Sequence, residues 1–403
     1  MESKARQGLF PELWHLIRTH VRDYAMFIAL AVIFILFGAF TQGNFLSPRN
    51  LTNLINQTGY IAVMACAMTL ILIIRQIDLS VGYAAGFTGA IAAILMVKAG
   101  IPFYLTIPII LLLGIVIGLV EGSIISFIGV PAFVTTLAFE FIFRGLLSLV
   151  TSESGTIPIF DEGFNAISNG FVPSLKIGET VLVSELNLPL IAGALAVVLL
   201  VVSQLRTRKN MQKYNFEVVS LPIFIMKLVL MAALIGAVAV ILSSYRGLSW
   251  TIVVVAVVTF IYNFMLNRTK LGRHIYGVGG NPEAAALAGV NVKKIMLFCF
   301  ASMGMMSALG GILFASRLQS ASTTGGAGFE LDAIASCYIA GVSTTGGIGN
   351  VVNSVVGAFV IMSLTNGLNL IGVGISYQYL IKGIIFICAV ALDVRGRGKK
   401  AIG

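Results

Sequence analysis

The sequence predicts an all-α, polytopic membrane protein of about twelve transmembrane helices (ten to twelve), with both termini cytoplasmic. Three observations carry this. Of the 403 residues, 58% are hydrophobic and only 10% are charged, against about 25% charged in soluble domains. Surface-to-volume geometry leaves a water-soluble fold of this length no means of hiding so much apolar side chain. Apolar stretches of about 20 residues, the length of a helical crossing, recur along the chain. Finally, the 26 Lys and Arg that outnumber 16 Asp and Glu are unevenly placed, in the manner of basic flanks on the cytoplasmic side of spans rather than of a nucleic-acid surface.

Taken in order, residues 1–23 carry Phe10, Leu13, Trp14, Ile17 and Val21 at helical spacing beside Arg18 and Arg22. This pattern predicts a cytoplasmic amphipathic helix on the lipid surface. No small-residue cleavage site follows, so a signal peptide is not indicated. The apolar region runs over 24–392, with spans expected at 24–40, 53–74, 81–98, 103–127, 133–150, 186–205, 221–243, 249–267, 295–316, 332–349, 351–371 and 376–392. A basic tail, 393–403, closes the chain. With the N-terminus inside, eighteen Lys and Arg fall in cytoplasmic loops and ends, and five fall outside: Arg49, Lys98, Lys176, Arg246 and Arg317. The longest outer loop, 151–185, is acidic, which suits a soluble partner arriving from that side.

The four cysteines lie in apolar runs without a Cys-x-x-Cys pair, and the three histidines lack metal-ligand spacing. Neither a disulfide framework nor a metal site is expected. Ionisable groups inside spans are costly and mark function by default. Glu140 and Arg144, spaced i,i+4, are expected to neutralise each other on one helix face. Glu121 stands in a Gly114, Gly118, Gly122 stripe suited to close helix packing.

Two segments interrupt the apolar pattern. One is IDLSVG at 77–82, where Asp78 or Ser80 suits a helix cap. The other runs from Glu330 and Asp332 through STTGGIGN to Asn350. Irregular backbone at membrane depth survives only where protein or a water-filled cavity surrounds it, so both breaks fit a transport passage. The cytoplasmic loop 268–294 holds a short Ala-rich helix signature: Asn281 as N-cap, Pro282 at the first position and Gly289 as the stop. A brief capped helix of this kind, too short to span, reads as a docking element. No Gly-x-x-x-x-Gly-Lys-Ser/Thr occurs, so nucleotide hydrolysis is expected on another polypeptide. No catalytic residues are assigned.

IDLSVG at 77–82, PAFVTTLA with a following Arg144-Gly145, TKLGRHIYGVGGNPEAAALAGVNV at 269–292, ELDAIA at 330–335 and TTGGIGNVVNSVVGA at 344–358 occur together and in order. The sequence resembles the inner-membrane permeases of ribose/xylose/galactose-type ABC sugar importers, most closely the xylose and multiple-monosaccharide types. The resemblance implies a homodimer in the bacterial inner membrane, with ABC ATPase subunits inside and a periplasmic sugar-binding protein outside. ATP and Mg would belong to the ATPase, with no cofactor on this chain. Asn281, Pro282, Glu283, Ala284 and Gly289 carry over as ATPase-contact residues. The sequence departs from the family in two ways. Three spans occupy 186–267 where one would do, an insertion of two spans that preserves the sidedness of all that follows. Glu121-Gly122 replaces a frequent Asn-Gly, and Gly341-Val342 a frequent Gly-Gly.

Neutral sugars need hydroxyl and amide partners rather than buried charge. Candidates for the passage are Ser80, Thr344, Thr345, Asn366 and Gln378, with the acids Asp78, Glu330 and Asp332 at the two breaks. An ion-coupled secondary carrier using Asp78, Glu140 or Asp332, and an ABC permease for amino acids, stand as the alternatives.

Overall fold

Eleven of the twelve predicted spans fold as apolar helices in the computed structural model, which describes residues 21–152, 155–173, 187–214, 216, 218 and 220–398. The helices are α1 (Val21–Phe40), α2 (Pro48–Ile73), α3 (Val81–Val97), α4 (Phe103–Ser123, continued by a π-helical turn to Ile128) and α5 (Ala132–Thr151). There follow α6 (Glu162–Asn169), α7 (Leu188–Lys213), α8 (Leu221–Ser243), α9 (Trp250–Arg268), α10 (Lys270–Gly280) and α11 (Pro282–Leu287). The last four are α12 (Val292–Leu318), α13 (Phe329–Ile339), α14 (Val351–Leu370) and α15 (Ile375–Gly398). Eight are long and apolar enough to cross a membrane, and Ile28–Phe40, Val81–Val97 and Ile375–Ile387 are shorter apolar helices. Cap chemistry sets several starts: Ser47 Oγ accepts from the Asn50 amide before Pro48, and Asn350 Oδ1 accepts from the Asn353 amide.

Two expectations need correction. Residues 332–349 are not a continuous span. Only α13 is helical, and at 1.5 Å per residue its 11 residues cover about 16 Å. Gly341, Gly346 and Gly347, all with positive φ, then carry an irregular chain to Asn350. The chain is otherwise helical, as expected, apart from one short ribbon in which Thr156–Pro158 (β1) pairs antiparallel with Ser320–Ser322 (β2). The basic tail is not separate from the last span, because α15 runs on through Arg395 and Arg397 to Gly398. Residues 1–20, which hold most of the predicted amphipathic helix, lie outside the described residues.

Burial separates a centre from a periphery. The most apolar stretch of α2 is 83% buried, and those of α12 and α14 are each 67% buried. In α7 and α8 the shares are 11% and 12%. These two form a hairpin that packs chiefly on itself, joined by Asn187 Nδ2 donating to Ser243 Oγ at 2.6 Å and by Arg208 over the Phe224 ring.

The glycine stripe is a packing device. A Cβ on Gly118 would lie 2.1 Å from the Phe300 carbonyl oxygen of α12, and one on Gly304 would lie 2.1 Å from that of Gly114. Small residues let the two backbones touch where apolar burial gives no drive between helices in lipid. Gly118→Leu is therefore expected to force α4 and α12 apart at a cost of about 3 kcal/mol or more. Thermal unfolding in detergent checks this, and an unchanged midpoint would refute it.

On the outer side, the described part of the acidic loop is built rather than slack. Asp161 Oδ1 accepts from the Phe164 amide to cap α6. Ser168 Oγ donates to the Leu313 carbonyl, and Asn169 Nδ2 donates to that of Ser316, so α6 seals the outer end of α12.

Candidate functional site

Three places in the fold hold the residues singled out by the sequence. The first is the short helix α11. Asn281 Oδ1 accepts from the Ala284 amide at 3.0 Å, Pro282 opens the helix, and Gly289 at φ 82° ends it. Asn281, Glu283, Ala284 and Gly289 are exposed, whereas Ala285 turns inward. Leu287, not singled out in the sequence, is 91% exposed. An apolar side chain standing in water on a six-residue helix has nothing within the chain to cover it. Its signal was present in the sequence, as the one large aliphatic residue in NPEAAALAG.

The second place is where the starts of α3 and α13 meet. Glu121 is seven residues from the end of the α4 extension, about 10 Å at helical rise. Its carboxyl lies within reach of the Ser80 hydroxyl and of the Asp78 charge, just before α3 starts. Asp78 Oδ1 accepts from both the Ser80 amide at 2.9 Å and the Ser80 hydroxyl at 2.7 Å. Asp78 thus shapes the turn into α3, while the Ser80 side chain makes no cap bond of its own. Gly82 backs onto Glu330 and the Gly326 carbonyl, so the starts of α3 and α13 face each other. Acids gather at these two ends because a helix N-terminus carries partial positive charge. Asp78, Ser80, Glu121 and Glu330 are all buried, and Glu121 Oε1 and Glu330 Oε2 have no hydrogen-bond partner.

The remaining in-membrane candidates are engaged elsewhere. Lys382 Nζ of α15 donates to both oxygens of Asp332 at 2.9 Å. Asn366 exchanges amide hydrogen bonds with Asn50, at 2.9 and 3.2 Å. Gln378 donates to Asn369 Oδ1 and to the Val373 carbonyl, fixing the turn from α14 to α15. Glu140 and Arg144 form no ion pair among the described residues. Arg144 instead lies over the Tyr83 ring at 5.7 Å. The i,i+4 spacing was permissive, but the guanidinium takes the face of the aromatic ring.

The third place is the loop 343–349, which holds Thr344 and Thr345 and packs against the ends of α2 and α10. Ser343 Oγ accepts from the Thr345 amide, Gly347 donates its amide to the Ile73 carbonyl at 2.9 Å, and Tyr276 Oη donates to the Gly349 carbonyl at 2.7 Å. Burial pushes the Tyr276 phenol above its usual range, which keeps it a donor. Among the described residues no cluster of His, Cys, Asp or Glu has the makings of a metal site, and Cys66, Cys299 and Cys337 are buried free thiols.

Residues 50–390 match the family described as branched-chain amino acid transport system / permease component. The chain belongs to that family. It is an ABC transporter permease component, a transport subunit rather than an enzyme. The permease is 35% identical to the xylose transport system permease protein XylH of Haemophilus influenzae over 94% of its own length and 98% of that protein. It is 35% identical to XylH of Escherichia coli, over 93% and 92%. With the ribose import permease protein RbsC of Escherichia coli it shares 32% identity, over 91% and 92%. No solved structure matches the permease. It is a multi-pass membrane protein homologous to bacterial inner-membrane permeases.

Proposed function

We propose that this permease is the membrane-spanning subunit of an ATP-driven monosaccharide importer, carrying a pentose or hexose, xylose foremost, across the inner membrane. The observation that carries the reading is α11, a capped cytoplasmic helix that presents Leu287 beside Glu283 to the solvent. An ABC ATPase dimer seated there binds ATP and Mg on its own chains and drives the spans between outward and inward opening. A soluble sugar-binding protein delivers substrate to the outer face, where Phe160 is 81% exposed. Two copies of the permease enclose the passage. The α5 face supports this pairing, since it leaves Arg144 exposed at mid-span, and a charge there is expensive against lipid. Xylose is favoured by the likeness to XylH along nearly the whole chain.

The test is uptake into proteoliposomes holding the permease with its ATPase and binding protein. Labelled xylose, ribose, glucose and leucine are compared with ATP inside, without ATP, and with an ion gradient alone. ATP-dependent uptake of xylose above the others is the expected result. Uptake on an ion gradient by the permease alone would overturn the reading, and preference for leucine would move the substrate to amino acids.

A further inference from the structure

The cytoplasmic end of α2 is built in an unusual way. Arg75 has φ 63°, its amide donates to the Leu72 carbonyl, and the Gln76 amide donates to that of Ile71. This is a left-handed helix stop, in which the residue at Arg75 is normally glycine. A side chain in that conformation costs about 1–2 kcal/mol, so the arginine is held for what its side chain does. Its Nε donates to the Gly279 carbonyl at 2.7 Å and its Nη2 to that of Gly280. These carbonyls end α10, where a cation is also favoured by the helix dipole. The next residue, Asn281, is the N-cap of α11.

Arg75 is joined to both broken spans, to one through the chain and to the other by side-chain contact. Three residues after Arg75 stands Asp78, which shapes the start of α3. On the other side, the loop that follows α13 lies directly on it: a Cβ on Gly346 would be 2.3 Å from Arg75 Cγ. A Cβ on Gly279 would be 1.9 Å from the Ile73 carbonyl oxygen and 2.8 Å from the Gly347 nitrogen. The end of α10, the end of α2 and the loop 343–349 are therefore packed backbone to backbone with Arg75 tying them, and close packing transmits displacement rather than absorbing it.

We propose that Arg75 is the positioning residue through which movement of α11 reaches both broken spans at once. The inference rests on the importer reading above. When the ATPase shifts α11, the carbonyls of Gly279 and Gly280 move with it. The guanidinium carries that shift into the segment leading to Asp78 and Ser80, and into the loop that ends α13. Without Arg75 the ATPase still docks on α11, but its cycle no longer moves the passage.

The experiment compares wild type with Arg75→Gly and Arg75→Lys in the full complex of permease, ATPase and binding protein. Glycine is the natural residue at a left-handed stop, so in Arg75→Gly the recovered backbone cost offsets part of the lost guanidinium bonds, and the variant is expected to stay folded with at most a modest drop in melting temperature. Sugar carried per ATP hydrolysed is expected to fall roughly tenfold, within the 5–150-fold span of ordinary coupling between sites. Stimulation of the ATPase by the loaded binding protein falls with it, while ATPase co-purification is unchanged. Arg75→Lys, which keeps the charge but has no two-pronged donor, should lie between. If Arg75→Gly couples transport to hydrolysis as wild type does, the relay is refuted and the importer reading stands. If wild type itself fails to import with ATP, the importer reading fails and the relay falls with it.

Discussion

Leu287→Asp is expected to abolish sugar uptake by separating the permease from its ATPase while leaving its own fold untouched. The side chain is 91% exposed and supports nothing inside the chain, in contrast to Ala285 on the inner face of the same helix. Burying a leucine in a partner's groove gains about 1.5–3 kcal/mol. Forcing a carboxylate into that groove reverses the gain and adds a desolvation penalty. A loss of about 3 kcal/mol, or roughly a hundredfold in affinity, follows from values typical of interface anchors. Co-purification of the ATPase with the mutant, read beside a melting curve of the permease alone, measures both halves. Full co-purification with intact uptake would remove α11 as the docking element.

The Asp332–Lys382 pair gives the second large effect, this time on the fold. The two side chains are 14% and 21% exposed and join α13 to α15. Removing one partner from a buried pair leaves an uncompensated charge and costs about 3–5 kcal/mol. Lys382→Met should unfold at lower temperature than wild type, and Asp332→Asn lower still. The order follows from the helix dipole: Asp332 lies in the first turn of α13 and keeps about 0.3–1 kcal/mol of stabilisation without its lysine, whereas Lys382 has no such second partner. The double variant Asp332→Asn, Lys382→Met should recover most of the loss, because a neutral pair has no stranded charge. Additive losses in that cycle would show that the two residues act separately. The pair also bears on the ion-coupled alternative, since an Asp332 already neutralised by Lys382 is a poor site for a transported cation.

The parts of this architecture that were legible in the sequence are those set by local chemistry. Apolar length gave eleven spans, and Asn281, Pro282 and Gly289 gave the start and stop of α11 within a residue of where they stand. The segment 332–349 was misread because average hydropathy does not see backbone conformation. Gly341 at positive φ ends the helix just past Ile339, and Gly346 and Gly347, also at positive φ, keep the following chain irregular. Asn366, Gln378 and Asp332 read as free polar groups because their partners are tertiary. Asn50 lies 316 positions from Asn366, and Lys382 lies 50 from Asp332. Arg75 is the sharpest case. In the sequence it marks only a cytoplasmic loop, and its bonds to Gly279 and Gly280 span more than 200 residues.

The α7–α8 hairpin bears almost no load from the rest of the molecule. With barely a tenth of its apolar stretches buried, most of its side chains outside the seam between the two helices face lipid, and lipid does not distinguish leucine from isoleucine, valine or phenylalanine. Selection there acts on hydropathy and length and is nearly blind to identity. Among descendants of this permease the hairpin is where spelling should drift fastest without any change in what is carried, while the glycine contacts of α4 with α12 and the knot around Arg75 stay fixed.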